Sequence, residues 1–259
     1  MQIEKRRNPE SACGEGLIEG RNAVLEALRA GRTIDKIYVL RSARDGAFRE
    51  IVSKAKKAGV VVVDCERAKL DALSVTGVHQ GIIAAAAAHA YADFDDLLQK
   101  AGAADTPALF VICDGITDPH NLGAIIRTAG AVGANGVIIP RRRSVALTAV
   151  VAKAAAGALE YVPVARVSNL SNAIAKLKEN GIWIYGTSDK ASAGLYETDL
   201  RGPAAFVVGS EGEGMGRLVE ESCDFVLSIP MKGKIASLNA SNAAAVVLFE
   251  AMRQRSAGN

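Results

Sequence analysis

Histidine, tryptophan and paired cysteine are scarce in this chain of 259 residues, which holds three histidines, one tryptophan and four cysteines. Cys13, Cys65, Cys113 and Cys223 lie far apart and form no CxxC pair. Neither a structural metal site nor a disulfide framework is therefore expected, and a reducing, cytoplasmic setting fits this usage. Long apolar runs are missing too. The longest, residues 81–88, is far too short to cross a bilayer, so no membrane partner is expected. Residues 1–9 are polar, carry Lys5, Arg6 and Arg7, and have no apolar stretch behind them, so they are not expected to be a signal peptide. Neither sign of charge dominates. A net charge of +3 permits a polyanionic partner without demanding one.

Hydrophobic residues make up 49% and charged residues 23%, the balance of an ordinary globular chain. Behind a basic tail (residues 1–15), Asn22 is placed to cap a helix carrying Val24, Leu25 and Leu28 and ending at Gly31. Residues 36–40, 60–63 and 81–86 read as strands and 48–58 as a basic helix, which predicts a small α/β unit over 16–90. Residues 91–106, with Asp93, Asp95, Asp96, Gly102 and Asp105, read as a linker holding at most a short helix around Leu97. From 107 to 259, strand and helix alternate. Apolar runs fall at 109–113, 136–139, 182–185, 205–208 and 225–229. Helical patterns fall at 122–131, 148–158, 170–180, 217–222 and 243–254. This alternation predicts a mostly parallel α/β sheet covered on both faces. Trp183 falls in one of the apolar runs and is expected in the core. Ligands of such sheets bind at the carboxyl ends of the strands.

Three loops at those ends stand out. The first runs from Asp114 to Arg127, with Asn121 placed to cap the following helix. An Arg near a helix start opposes the helix dipole and suggests an anion close by, and its fork suits a phosphate. The second, residues 209–216, has four glycines in eight residues, which lets a ligand approach the backbone. Its spacing is neither a GxGxxG fingerprint nor a Walker loop, and Glu211 and Glu213 would repel phosphate. A neutral or cationic ligand fits better. The third, residues 229–245, crowds Ser237, Asn239, Ser241 and Asn242 at a helix start where one cap would suffice, with Lys232 and Lys234 beside them.

Together these loops resemble, in order and spacing, the three motifs of the SpoU/TrmH family of RNA 2′-O-ribose methyltransferases. The likeness runs over residues 109–255. Residues 20–28 and 78–82 resemble that family's N-terminal substrate-binding domain. The ending, residues 248–255, is similar to enzymes that methylate a guanosine in the peptidyl-transferase loop of 23S rRNA. The resemblance implies a C-terminal α/β-knot (SPOUT) domain with a deep trefoil knot, preceded by a small ribosomal-protein-like α/β domain that binds RNA. It implies S-adenosylmethionine as cofactor, no metal, and a homodimer acting on 23S rRNA or its precursor. It assigns catalysis to Asn121, Arg127, Glu211, Ser237 and Asn239. It assigns the cofactor to Thr187, Gly209, Ser210, Ile229, Met231, Ser237 and Leu238. Ala240 and Asn242 stand where the family usually has valine, and Ser210 where alanine is common; these departures bear on cofactor affinity and leave the polar pair of the third loop intact.

RNA contacts are expected from Arg21, Asn22, His79, Arg141, Arg142 and Lys232. A 2′-hydroxyl must be exposed to react, which favours a loop or bulge over a regular helix. The alternatives are a tRNA methyltransferase of the same family, a nicotinamide-dependent oxidoreductase, and a non-catalytic RNA-binding assembly protein. The oxidoreductase lacks its glycine fingerprint here, and the full polar set argues against a dead enzyme.

Overall fold

The computed structural model describes residues 16–43, 45–233 and 237–256. The basic tail, Arg44 and Lys234 lie outside the described residues. The chain divides into two compact units: residues 16–90 with 146–150, and residues 91–145 with 151–256.

The first unit is built from β1 (Leu17–Glu19), α1 (Arg21–Arg29), β2 (Ile34–Leu40), α2 (Gly46–Lys57), β3 (Val61–Cys65), α3 (Arg67–Leu73) and β4 (Ile82–Ala86). Its sheet has the order β1-β4-β2-β3, with β2 and β3 parallel and the other pairs antiparallel. Val24, Ile37, Val39, Phe48, Ile51 and Ile82 form its core. Asn22 does not cap α1. The cap is Gly20, at φ 92°, and its carbonyl accepts from the Val24 N–H at 3.1 Å. Asn22 sits exposed in the first turn.

The segment 74–81, between α3 and β4, is held from several sides. Glu19 accepts hydrogen bonds from the Ser74 hydroxyl at 2.6 Å, from the Val75 N–H at 2.6 Å, and from both the N–H and the hydroxyl of Thr76. Burial opposes its ionisation, yet the bonds from Ser74, Thr76 and the 75–76 backbone outweigh this and hold the carboxyl down at about 2. His79 is buried. Its Nδ1 accepts from the Gly81 N–H at 3.0 Å, so Nε2 carries the proton and donates to Asp71 at 2.9 Å. Both ring nitrogens of His79, expected among the RNA contacts, are thus committed within this unit.

The second unit begins earlier than the sequence suggested. Residues 91–106 are not a free linker, because α4 (Phe94–Gly102) is capped by Asp93 and buries Leu97, Leu98 and Ala101 in the core. There follow β5 (Leu109–Cys113), α5 (Pro119–Ala131), β6 (Gly136–Pro140), α6 (Ala149–Ala155), a 3-10 turn at Ala158–Glu160, β7 (Val164–Val167), α7 (Leu170–Glu179) and β8 (Trp183–Thr187). The chain ends with β9 (Ala193–Gly194), β10 (Ala204–Val208), α8 (Arg217–Glu221), β11 (Phe225–Ser228) and α9 (Ala240–Ser256). The helix read over 148–158 is shorter because Ala156 and Gly157 take φ values of 49° and 86°, which no α-helix continues through. β7 and β9 were not legible as strands; both are short edge strands.

All seven strands are parallel, in the order β7-β6-β5-β10-β8-β11-β9. β5 and β10 lie at the centre and are buried at every residue, as apolar runs of this kind require in a two-sided sheet. One face packs Phe110, Ile112, Ile184 and Val207 with α4, α7 and α8. On the other, α5 packs on α9, and α9 on β10. Trp183 is not core. It lies at the amino end of β8, 51% exposed, in tilted contact with Phe225. Because every strand runs the same way, the loops after β5, β6, β8, β10 and β11 all leave from one edge.

The C-terminal helix is fastened at the opposite edge. The half-buried Arg255 donates to the carbonyls of Pro107, Ala108, Leu200 and Gly202, at 2.6–3.3 Å. Replacing Arg255 by Met leaves those carbonyls without their charged donor. The expected loss is about 2–4 kcal/mol of unfolding free energy, read as a lower midpoint in thermal or urea unfolding.

Candidate active site

The loop after β5 starts with Asp114, whose carboxylate accepts from the Gly216 N–H at 2.7 Å. Asp118, not Asn121, caps α5, accepting from the His120 N–H at 3.0 Å with Pro119 in the first turn. Asn121 is thereby freed to face the other loops. Arg127 lies mid-helix, so the expected dipole conflict does not arise. It is exposed and has no hydrogen bond or ion pair among the described residues. It sits six residues beyond Asn121, about 9 Å along the helix axis.

The loop after β10 is tightly closed rather than slack. Ser210 and Gly214 exchange backbone hydrogen bonds of 3.0 Å each, which puts Glu211 and Glu213 on its tip. Gly209 is needed at its base, because a Cβ there would lie 2.3 Å from the Gly214 carbonyl carbon. Under the loop, a Cβ on Gly186 would lie 2.7 Å from the Met215 methyl group.

The loop after β11 ends at Asn239, whose Oδ1 accepts from the Ser241 N–H at 2.9 Å and its hydroxyl at 2.6 Å, starting α9. The Asn239 amide nitrogen faces the other way. It donates to Asn121 Oδ1 at 3.0 Å and to Glu211 Oε1. Asn121 in turn donates to the same Glu211 oxygen at 2.7 Å. One residue from each loop thus meets in a single hydrogen-bonded cluster.

Beside the cluster is a cavity of about 470 Å³, well within the size range of small-molecule sites. Thr187, Gly209, Ser210, Glu211, Ile229, Met231, Ser237, Leu238 and Asn239 line it. The Thr187 hydroxyl is turned to the backbone, donating to the Val207 carbonyl at 3.0 Å. Glu213 also lines the cavity, as do Asp189, Lys190 and Glu220, which were not singled out in the sequence; neither was the tether from Asp114. Asp114, Asp189 and Lys190 are marked there only by a position just beyond a strand end, and Glu220, inside α8, by nothing. Four carboxylates against one ammonium make this a cation-tolerant, anion-repelling pocket.

The expected RNA contacts are spread elsewhere. Arg141 and Arg142 are exposed just after β6, on the same sheet edge as the cavity, next to Arg143 at φ 57°. Lys232 is exposed in the third loop. Arg21, in the first unit, is held by Asp45 at 2.8 Å and lies over the Phe48 ring. Among the described residues no three His, Cys, Asp or Glu side chains cluster to hold a metal, and no helix is long and apolar enough to cross a membrane.

Residues 108–249 match the model of the SpoU rRNA Methylase family, and residues 17–92 match the model for RNA 2′-O ribose methyltransferase substrate binding. The chain belongs to the SpoU/TrmH family of RNA methyltransferases. Its parallel sheet is that of the α/β-knot (SPOUT) fold, preceded by the family's substrate-binding domain. It is 47% identical over 236 residues to a putative TrmH family tRNA/rRNA methyltransferase of Bacillus subtilis, covering 91% of this chain and 94% of the relative. It is similar to the SpoU methyltransferase AviRb of Streptomyces viridochromogenes in complex with AdoMet (25% identity, TM-score 0.60), covering 98% of this chain and 95% of that one. The A. aeolicus TrmH/SpoU tRNA modifying enzyme is 28% identical with a TM-score of 0.54, covering 64% of this chain and 85% of the other.

S-adenosylmethionine is the family's cofactor, and the acidic cavity with its glycine base fits a cationic, phosphate-free ligand. Gly209→Ala drives a Cβ into the 214–215 backbone and displaces the loop. Because a misplacement of about 1 Å can cost 10²-fold, cofactor affinity is expected to fall about 100-fold in calorimetric titration, while circular dichroism stays that of the wild type.

Proposed function

We propose that this SpoU/TrmH methyltransferase modifies a ribose 2′-hydroxyl of rRNA, a guanosine in the peptidyl-transferase region of 23S rRNA. The observation that carries the site assignment is the Asn121–Glu211–Asn239 cluster at the mouth of the acidic cavity. The full-length substrate-binding domain supports rRNA over tRNA, since the tRNA modifying neighbour covers only 64% of this chain. A homodimer belongs to this reading; α9 leaves Phe249, 46% exposed, on its outer side.

S-adenosylmethionine supplies a sulfonium methyl whose leaving sulfur takes the bonding electrons. The protein's task is to hold the 2′-oxygen in line and to take its proton. A guanidinium is a donor and no base, so Arg127 is not the proton acceptor. Its fork anchors the neighbouring phosphate and stabilises negative charge growing on the oxygen. Both amide donors of the cluster bind Glu211 Oε1, which leaves Oε2 without a partner among the described residues. That oxygen is the acceptor for the 2′-hydroxyl proton. Ser237 lines the cavity beside the cluster and orients the ribose. Arg141, Arg142 and Lys232 carry the RNA backbone across the same edge, which makes binding salt-dependent.

The test is methyl transfer from labelled cofactor to total RNA of a strain lacking the gene, with mapping of the modified nucleotide. Label at one 2′-oxygen of large-subunit rRNA is expected; label confined to tRNA overturns the substrate assignment and keeps the chemistry. Arg127→Lys keeps the charge and loses the fork. Its kcat is expected to fall about 100-fold, and a near-full rate would show that a point charge suffices.

A further inference from the structure

The segment 74–78 places two valines in water and fixes them there. Val75 and Val78 are 65% and 67% exposed. Around them, the backbone is committed to side chains. Glu19 binds the 75 and 76 N–H groups, the Ser74 hydroxyl accepts from the Gly77 N–H at 2.9 Å, and the Thr76 hydroxyl accepts from the Val78 N–H at 3.2 Å. The far end is pinned by His79, and by Gln80, a non-glycine residue at φ 52° whose side chain accepts from the Arg21 N–H at 3.2 Å. A connection that only had to span α3 and β4 would need none of this. Rigid apolar tips lower the entropy cost of binding.

Val78 also borders a second cavity, of about 690 Å³, whose charged lining is Arg21, Arg67 and Asp45. Arg67 is largely exposed and forms a long ion pair with Asp71, at 3.8 Å. Two arginines against one carboxylate among the cavity's described lining residues contrast with the acidic lining of the other cavity. The second cavity lies within residues 17–92, which match the RNA substrate-binding model.

We propose that Val75 and Val78 form a preformed wedge that packs against an unstacked base of the substrate RNA, with the adjoining phosphate facing Arg67. The inference rests on RNA being the substrate, but not on which RNA. Apolar faces pack against unpaired bases, and such contacts carry no counterion release.

The test compares the full-length protein with a Val75→Ser, Val78→Ser variant. Both positions are exposed, so the unfolding midpoint serves as a fold control. The probe is deproteinised total RNA, assayed for labelling and, separately, for filter retention across salt concentrations. The expected result is an RNA KM and Kd weaker by about tenfold, an unchanged kcat, an unchanged cofactor KM and an unchanged salt slope. Glu19→Gln, which loosens the clamp without touching the valines, is expected to weaken RNA binding in the same direction. Unchanged RNA affinity overturns the proposal. So does a defect seen with ribosomal particles and absent with naked RNA, which would make the wedge's partner a protein. If the wild type labels no RNA, the methyl-transfer reading fails, while filter retention still decides the wedge.

Discussion

The hydrogen bonds that join Asn121, Glu211 and Asn239 are the contact on which the site depends. A parallel sheet delivers its loops to one edge but does not by itself tie them together. Here each of three loops contributes one polar side chain, and Asn239 has two duties. Its oxygen starts α9 and its nitrogen closes the cluster, so the helix start and the site geometry cannot vary independently. Asp114 adds a second tether between the first and second loops. Below them, Gly186 and Gly209 admit backbone and the Met215 side chain where any larger residue would push the loops apart.

Charge is sorted along the same edge. The acidic cavity is lined by Asp189, Glu211, Glu213 and Glu220 against Lys190. The arginines stand outside it, after β6 and on α5. Such a distribution favours a cation inside the cavity and a polyanion outside it. The first unit holds the opposite arrangement: a cavity with two lining arginines beside a rigid apolar tip.

The parallel sheet and its three unusual loops were legible in the sequence because buried parallel strands read as unbroken apolar runs and the loops crowd polar residues where caps need only one. The family identification came from resemblance; no periodicity argument reaches a knotted chain. What was not legible depends on tertiary choice. Asp118 and Asn121 are both plausible caps, and Pro119 at the first helical position decides for Asp118. The acids of 93–96 look like linker, yet they are a cap and first turn that set Leu97 and Leu98 into the core. Trp183 falls in an apolar run, yet it lies at the amino end of β8 and is exposed. The partners of His79 and Arg21, Asp71 and Asp45, come from elsewhere in the first unit and were not legible either.

The most direct test of the loop cluster is a double-mutant cycle on kcat/KM with Asn121→Ala and Asn239→Ala, singly and together. If the two residues act as one unit through Glu211, the double variant is expected to be little worse than either single one, with a coupling of about 1 kcal/mol or more. Strict additivity would contradict the account, because it would mean that the three loops serve the reaction independently.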